Sequence, residues 1–522
     1  MLLKTATLGC KVNQYETQFV REALERIGYS DAAPGESADL VIVNTCTVTA
    51  ESDQKSRKLI RRLAKLNPQA EIVVMGCYAT RVQGIGNRAV SLAGVPAGIG
   101  NQKPYPLSPL EKSPWEKFPQ VTEVITDKRD IPAFLERRGV IDVPDGIASF
   151  EGSSLAATRN SGSSLAATRN SGSSLAATRN SGSSTAATRS SLRHRAYVKV
   201  QDGCRVGCAY CIIPKVRPYL WSRPVGEVLD EIRRLVDSGY REIVLVGIHL
   251  GHYGLDELQV AARLLPFERD FYTQTEQKPL IAGNVRKGSS GAATCNLSQL
   301  VERIMQLDGP FRLRVSSMEA VEVSDELIDL MRAFPKKLCP HLHLSMQSGS
   351  DEVLRRMRRR WPSGPFRERC EQIKDAIDRV ALTTDVIAGF PGETENQFAE
   401  TCDMVERIGF SKVHVFPFSP REGTEAATMP NQIPAMEKER RVTHLMQLAD
   451  RLRANFAAGQ IGQTVQVLFE TQQNSTLIGT SDRYLRTRVQ MDSAITKDGG
   501  LVDLMVTASE GDEIIANFDY SK

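Results

Sequence analysis

Each of the first three apolar segments of this chain runs into a cysteine and then into a helix-forming stretch, and that pattern restricts the fold more than any other feature. Leu3–Leu8 leads to Cys10 and an amphipathic segment with Phe19, Leu24 and Ile27 on one side; Leu40–Val43 leads to Cys46; Ile72–Met75 leads to Cys77. Strands that are apolar throughout are buried on both faces, which calls for a parallel sheet covered by helices. In such a sheet the loops leaving the carboxyl ends of the strands line one crevice. Cys10, Cys46 and Cys77 are therefore expected to converge there, two of them preceded by Gly9 and Gly76. Three thiolates at one sheet edge make a cluster site; three buried free cysteines are the alternative.

The same alternation returns between Ala196 and Arg421, with strands expected at Tyr197–Val200, Ile243–Val246, Phe311–Val315, His341–Leu344, Ala381–Ile387 and Val413–Phe416. Six such units predict a partial parallel (β/α)6 barrel whose site lies at the carboxyl ends of its strands. After a helix from Met436 to Phe456, short strands at Thr464–Phe469, Tyr484–Val489 and Leu501–Val506 predict a small β-barrel, a type of module often used on RNA. The overall class is α/β. The expected domains are residues 1–145 with an insertion at about 82–118, a repetitive linker at 146–192, a barrel at 193–435 with an insertion at about 257–294, and residues 436–522 as connecting helix and β-domain. Between Ser153 and Ser190 a ten-residue unit, Ser-Ser-Leu-Ala-Ala-Thr-Arg-Asn-Ser-Gly, recurs four times with its last copy altered. One leucine per unit buries too little surface to offset chain ordering, so a disordered spacer is expected.

At the end of the first barrel strand stands Gly203-Cys-Arg-Val-Gly-Cys-Ala-Tyr-Cys-Ile212, in which Cys204, Cys208 and Cys211 form a Cys-x3-Cys-x2-Cys loop. Three thiolates this close can hold three corners of a cubane iron–sulfur cluster and leave the fourth iron open to substrate. A zinc knuckle is the competing reading, but its usual paired Cys-x2-Cys spacing is missing. The other composition features agree. The 41% hydrophobic and 25% charged content of the 522 residues is that of a globular protein. No run approaches the roughly 18 apolar residues of a membrane span, and no signal-peptide core opens the chain, so a cytoplasmic location is expected. In that reducing compartment ten cysteines point to ligands rather than disulfides.

The loop with Tyr210 before its third cysteine resembles the radical S-adenosylmethionine (SAM) enzymes. Two cysteine trios, a partial barrel and a terminal β-domain together resemble the methylthiotransferase family of that superfamily. Leu8-Gly-Cys-Lys-Val-Asn-Gln-Tyr-Glu-Thr-Gln18 is most similar to the branch that modifies N6-threonylcarbamoyladenosine in tRNA. Further matches are Val43-Asn-Thr-Cys-Thr-Val-Thr49, Met75-Gly-Cys-Tyr-Ala79, His341-Leu-His-Leu-Ser-Met-Gln-Ser-Gly-Ser-Asp351 and Thr383-Thr-Asp-Val-Ile-Ala-Gly-Phe-Pro-Gly-Glu-Thr394. The resemblance implies a SAM-cleaving 4Fe-4S cluster on Cys204, Cys208 and Cys211, an auxiliary 4Fe-4S cluster on Cys10, Cys46 and Cys77, and a TRAM-like terminal domain. It further implies SAM as both radical source and methyl donor, tRNA as substrate, and an electron donor such as a flavodoxin or ferredoxin. No membrane partner is expected. Related activities on isopentenyladenosine in tRNA or on a ribosomal-protein aspartate are the runner-up, and a two-cluster redox or RNA-binding protein is the non-enzymatic alternative.

Residues after the barrel strands are candidates for the SAM pocket: Tyr210, Ser316, Ser317, Glu319, Gln347, Ser348, and Gly389 and Gly392 of the Gly-Phe-Pro-Gly turn. His341 and His343 alternate on one strand and read as packed polar residues, while Cys295, Cys339, Cys370 and Cys402 show no ligand spacing. Arg355, Arg356, Arg358, Arg359 and Arg360, with Trp361 beside them, form the densest basic run and are the first candidate RNA surface. The helix carrying Lys55 to Lys65 is the second. From Asn455 onward the chain has five basic against nine acidic residues, leaving Arg483, Arg486 and Arg488 as the basic cluster of that domain.

Overall fold

A computed structural model of the protein describes residues 1–83, 115, 117–140, 194–255, 295–490 and 500–518. Most of the expected insertion at 82–118, the repetitive linker and the insertion at 257–294 lie outside the described residues. At the edges of the first insertion the boundary shifts: Val82 is buried in the helix Cys77–Gln83, and Trp115 packs edge-on against Tyr78.

The first strands are β1 (Leu2–Thr7), β2 (Ser30–Asp31), β3 (Leu40–Thr45), β4 (Glu71–Gly76) and β5 (Val121–Ile125), all parallel in the order β2-β1-β3-β4-β5. Leu-Val-Ile-Val opens β3 at the centre, and every residue of that strand is buried. One face is covered by Tyr15, Val20 and Leu24 of the helix Lys11–Glu25 together with Phe134; the other by Ile60 and Leu63 of the helix Ala50–Leu66 and by Tyr78. Each buried aliphatic side chain contributes about 1.5–3 kcal/mol, so the alternating apolar cover on both faces fixes the layer order. The strand order reverses between β1 and β3, and the crevice of an open parallel sheet lies at that point.

The middle of the chain supplies β6 (Arg195–Asp202), β7 (Trp221–Ser222), β8 (Glu242–Gly247), β9 (Arg312–Val315), β10 (Ser317–Met318), β11 (His341–Leu344), β12 (Ala381–Ala388) and β13 (Lys412–Pro417). The strands β6, β8 and β9 are parallel neighbours, as are β11, β12 and β13. The two halves join where the Leu313 N–H donates to the Lys337 carbonyl (2.6 Å) and the Cys339 N–H to the Leu313 carbonyl (2.8 Å). This is the expected six-stranded partial barrel, with no pairing of β13 to β6 among the described residues. Leucines and valines of its strands face the surrounding helices in one large core. The helix Lys11–Glu25 enters through the open side, where Val12 packs on Val244 and Val246 of β8.

The chain ends in a closed barrel of β14 (Thr464–Gln473), β15 (Thr476–Ser481), β16 (Arg486–Gln490), β17 (Leu501–Glu510) and β18 (Glu513–Asn517), in the order β14-β15-β16-β18-β17. Two of its five strands, β15 and β18, were not expected from the sequence, and Tyr484, expected to begin a strand, stands in a turn at φ +63°. This small barrel is docked under the larger one. Arg312 donates to the carbonyls of Gln466 and Thr480, and Arg314 to those of Ser481 and Asp482. Both arginines are neutralised by the fully buried Glu242: burial alone would raise its pKa, but Arg314, Arg312 and Arg195 hold the carboxyl well below its ordinary value. Among the described residues no helix is long and apolar enough to cross a membrane.

Candidate active site

The first trio is assembled by the sheet. Cys10 caps the helix Lys11–Glu25, Cys46 follows β3, and Cys77 begins the helix after β4. Backbone conformation makes the approach possible. Gly76 has φ +105°, and a Cβ there would lie 2.3 Å from the Thr45 carbonyl; one on Gly9 would lie 2.9 Å from the Cys46 Cβ. The side-chain amide of Asn13 ties the loops together by donating to the carbonyls of Leu8 (2.9 Å) and Thr45 (3.0 Å).

The second trio sits on one loop at the end of β6. Gln201 donates through Nε2 to the carbonyls of Asp202 and Gly203, both at 2.8 Å, and the Ala209 N–H donates to the Met357 carbonyl at 2.9 Å. Ile212, directly after the loop, packs on Cys77 at the sheet edge.

Arg217 links the two trios. Its guanidinium donates to the Cys77 sulfur (3.3 Å), to Asn13 (3.0 Å), to Asp202 (2.8 Å) and to Glu16 (3.0 Å). Glu16 is fully buried and also binds Lys128 and Lys199. Burial would raise its pKa, but Arg217, Lys128 and Lys199 hold it well below the usual carboxylate range. Residues from the sheet, the following segment and β6 thus share one buried charge network. A second link crosses the same interface, from Arg421 to Thr47 (2.7 Å) and Asp53 (2.9 Å).

The chemistry of the donors fits clusters. All six cysteines are free. Burial pushes the thiols of Cys208 and Cys211 up and that of Cys46 to about 11, and neighbouring cysteines raise them further. Thiols with this cost of ionisation become thiolates when a metal supplies the compensating charge. Each trio also has a polar partner at sulfur: Arg217 donates to Cys77, Arg359 donates to Cys208 (3.8 Å), and His249 Nδ1 lies within hydrogen-bond reach of Cys204 (3.7 Å). Hydrogen bonds to sulfur are how a protein orients and tunes such a centre.

The basic run Arg355–Arg360 does not form the expected surface. Arg360 is buried and donates to Glu319 (2.9 Å) and Glu322 (2.7 Å); Arg359 is nearly buried, pairs with Glu319 (3.1 Å) and reaches Cys208. Trp361 donates to the same Glu319 carboxylate at 2.7 Å. Arg356 is engaged by the Pro391 carbonyl and Gln397, and the exposed Arg355 and Arg358 pair with Glu352 and Glu425. A sequence displays the charges of this run but not the carboxylates from distant segments that draw two of them inward. Arg483, Arg486 and Arg488 are likewise paired, with Asp482, Glu513 and Glu510. By contrast Lys58, Arg61, Arg62 and Lys65 are exposed on the helix Ala50–Leu66.

The expected SAM residues divide. Glu319 lies beside Arg359, and Tyr210 packs in a cluster with Phe390, next to Gly389. Gln347 holds a strained φ of +70° while exchanging backbone hydrogen bonds with Asp385 and Ile387 of β12. Ser317 is exposed on β10. Ser348 is fully buried, its hydroxyl against Thr401 (3.1 Å) and accepting from the Ser350 N–H. Gly389 and Gly392 take φ +75° and +73°, and the Gly389 N–H donates to Glu393, a requirement of the turn itself. His341 is buried against Tyr484, as a packed polar residue should be. His249 and Glu322, 2.8 Å apart, were missed; the only available signal was their position after barrel strands.

Residues 3–89 match Uncharacterized protein family UPF0004 and residues 198–405 match the Radical SAM superfamily. Threonylcarbamoyladenosine tRNA methylthiotransferase MtaB of Bacillus subtilis is 32% identical over 92% of this chain and 88% of its own length. The protein of that name in Chlamydia pneumoniae is 32% identical over 90% of this chain and 86% of its own. The tRNA-2-methylthio-N(6)-dimethylallyladenosine synthase of Corynebacterium urealyticum is 29% identical over 89% of this chain and 71% of its own. The class is thereby defined as a radical SAM enzyme with an added N-terminal α/β domain. Within that class the chain belongs to the tRNA methylthiotransferase family, and membership implies a 4Fe-4S cluster and SAM.

Proposed function

We propose that this enzyme methylthiolates C2 of N6-threonylcarbamoyladenosine beside the anticodon of tRNA. The observation that carries the reading is the Arg217 network, which holds two cysteine trios of different origin at one barrel mouth. The relatives named for threonylcarbamoyladenosine support that substrate over the isopentenyl (dimethylallyl) one. When bound, a 4Fe-4S cluster on Cys204, Cys208 and Cys211 supplies an open iron and an electron for SAM cleavage, and one on Cys10, Cys46 and Cys77 supplies a site for the transferred sulfur.

The chain's own residues do the rest. Arg217 and Asn13 fix the spacing of the trios, and Arg359 and His249 direct hydrogen bonds to thiolate sulfur. Glu319 and Glu322 hold Arg359, Arg360 and His249 in place. The helix Lys11–Glu25 closes the open side of the barrel and keeps bulk water from the interior, which strengthens every polar interaction there. Tyr210, Glu319, Gln347 and Gly389 are the residues we assign to the SAM pocket. The exposed basic face of Lys58, Arg61, Arg62 and Lys65 takes the tRNA backbone. The reductant is a flavodoxin or ferredoxin, and the enzyme works in the cytoplasm, where its substrate is. Nucleoside mass spectrometry of tRNA from a strain lacking the gene tests the reading: the methylthio form of threonylcarbamoyladenosine disappears and returns on complementation. Loss of the methylthio isopentenyl nucleoside instead overturns the substrate assignment.

A further inference from the structure

Along β13 the residues Val413 and Val415 pack outward on the helical layer, so Lys412, His414 and Phe416 face into the barrel. At the mouth end Phe416 is 44% exposed, in register with Ile387 of β12. Midway down, His414 is in register with Asp385 and lies beside His343, ring centroids 5.9 Å apart. His343 in turn is fixed by Thr383 (2.9 Å) and pairs with Asp385 (3.3 Å). At the floor the ring of Tyr484 rises from the terminal barrel with three cations around it: Lys11 at 5.9 Å, Lys412 at 6.0 Å and Arg314 at 5.1 Å from the centroid. Glu242 neutralises Arg314. Lys11 and Lys412 have neither a hydrogen bond nor an ion pair among the described residues.

Two partly buried ammonium groups beside one ring, offset only at a distance by Glu242 and Asp385 for Lys11 and by Asp512 for Lys412, favour an anion placed directly between them. His343, Asp385 and His414 have ligand atoms within 4.8 Å of one another, a spacing suited to a metal ion. The neighbouring lysines oppose a divalent cation there and favour a negative group instead.

We propose that this floor binds the carboxylate of the amino-acid substituent on the target adenosine, with Lys11 and Lys412 as its charge partners and Phe416 stacked on the base at the mouth. The proposal rests on the threonylcarbamoyladenosine reading above. Strand rise puts the Cα of Lys412 roughly 13 Å below that of Phe416. A lysine side chain covers about half of that distance, and a threonylcarbamoyl group on N6 covers the remainder. Across N1 from C6, the adenine C2 then stays at the level of the cysteine loops while the substituent points inward. An isopentenyl group offers no charge, would leave both lysines unpaired and would be rejected by that deficit.

The test uses the reconstituted full-length enzyme with three anticodon stem-loop RNAs, carrying threonylcarbamoyladenosine, its neutral carboxamide, or isopentenyladenosine. Affinity is read by fluorescence anisotropy and product by mass spectrometry. The parent should bind the carboxylate RNA roughly tenfold tighter than the carboxamide. Lys412→Met and Lys11→Met should each bring that ratio toward one, and Lys412→Arg should restore it. A ratio near one in the parent, or an unchanged ratio in both Met variants, overturns the carboxylate site and leaves the substrate reading intact. A parent that thiolates only the isopentenyladenosine RNA overturns the substrate reading and the site with it.

Discussion

Cys204, Cys208 and Cys211 come from one loop, whereas Cys10, Cys46 and Cys77 are brought together from three strand ends by the topology of a sheet. The loop trio is held by the Gln201 side-chain amide at its start and by the Ala209 N–H donating to the Met357 carbonyl. The sheet trio depends on glycines with positive φ and on Asn13 spanning two loops. A site made by one loop tolerates change in the fold around it. A site made by convergence inherits every error in strand register.

The largest effect that separates the two is chemical. Cys204→Ala should abolish SAM cleavage, and Cys46→Ala should retain cleavage while methylthio product disappears. Iron should fall from about eight to about four per chain in both, following cluster stoichiometry. Methylthio product at the parent rate from the Cys46 variant would dissolve the distinction. Next in size is the joint between them. Arg217→Met leaves buried carboxylates short of a partner and should cost about 3–5 kcal/mol in chemical denaturation. It should also separate SAM cleavage from thiolation, since Cys77 loses its donor.

A smaller contrast comes from matched glycine variants. Gly76→Ala meets the Thr45 backbone as well as an unfavourable φ, so a cost of about 1–3 kcal/mol and selective loss of the auxiliary irons are expected. Gly207→Ala, at φ +73° in open space within the other loop, should cost about 1 kcal/mol and keep all the iron. Equal iron loss in the two would mean that the trios are equally fragile. The mildest change falls on the outer surface. Replacing Lys58, Arg61 and Arg62 by Ala should weaken tRNA binding and lower the salt slope by about two to three units, with SAM cleavage retained. An unchanged slope moves the RNA contact off that helix.

The same contrast explains what could be read from the sequence. Both trios were legible, one from spacing and the other because continuous apolar strands imply a parallel sheet with its loops on one side. The six barrel strands were legible for the same reason. In the terminal barrel β15 was not, because Gly479 interrupts its apolar pattern; that glycine is there because a Cβ would lie 2.3 Å from the Leu468 carbonyl of the paired strand. The fate of Arg359 and Arg360 was hidden too. Their partners Glu319 and Glu322 lie about forty residues away, and local charge density carries no information about which cations a fold will bury. Phe416 escaped notice since an aromatic residue in an apolar strand looks like core until the strand's inward face is known.

The helix that plugs the open side of the barrel also sets an order of events at the ribosome. Glu16 meets Lys199, 183 positions further along, and then Arg217. At roughly 5–20 residues per second, synthesis takes on the order of 10–40 s to deliver those partners. During that interval Glu16 has Lys128 alone as its partner and Val12 lacks its neighbours on β8, so the emerging amino-terminal sheet is an incomplete particle for which early chaperone contact is the expected safeguard.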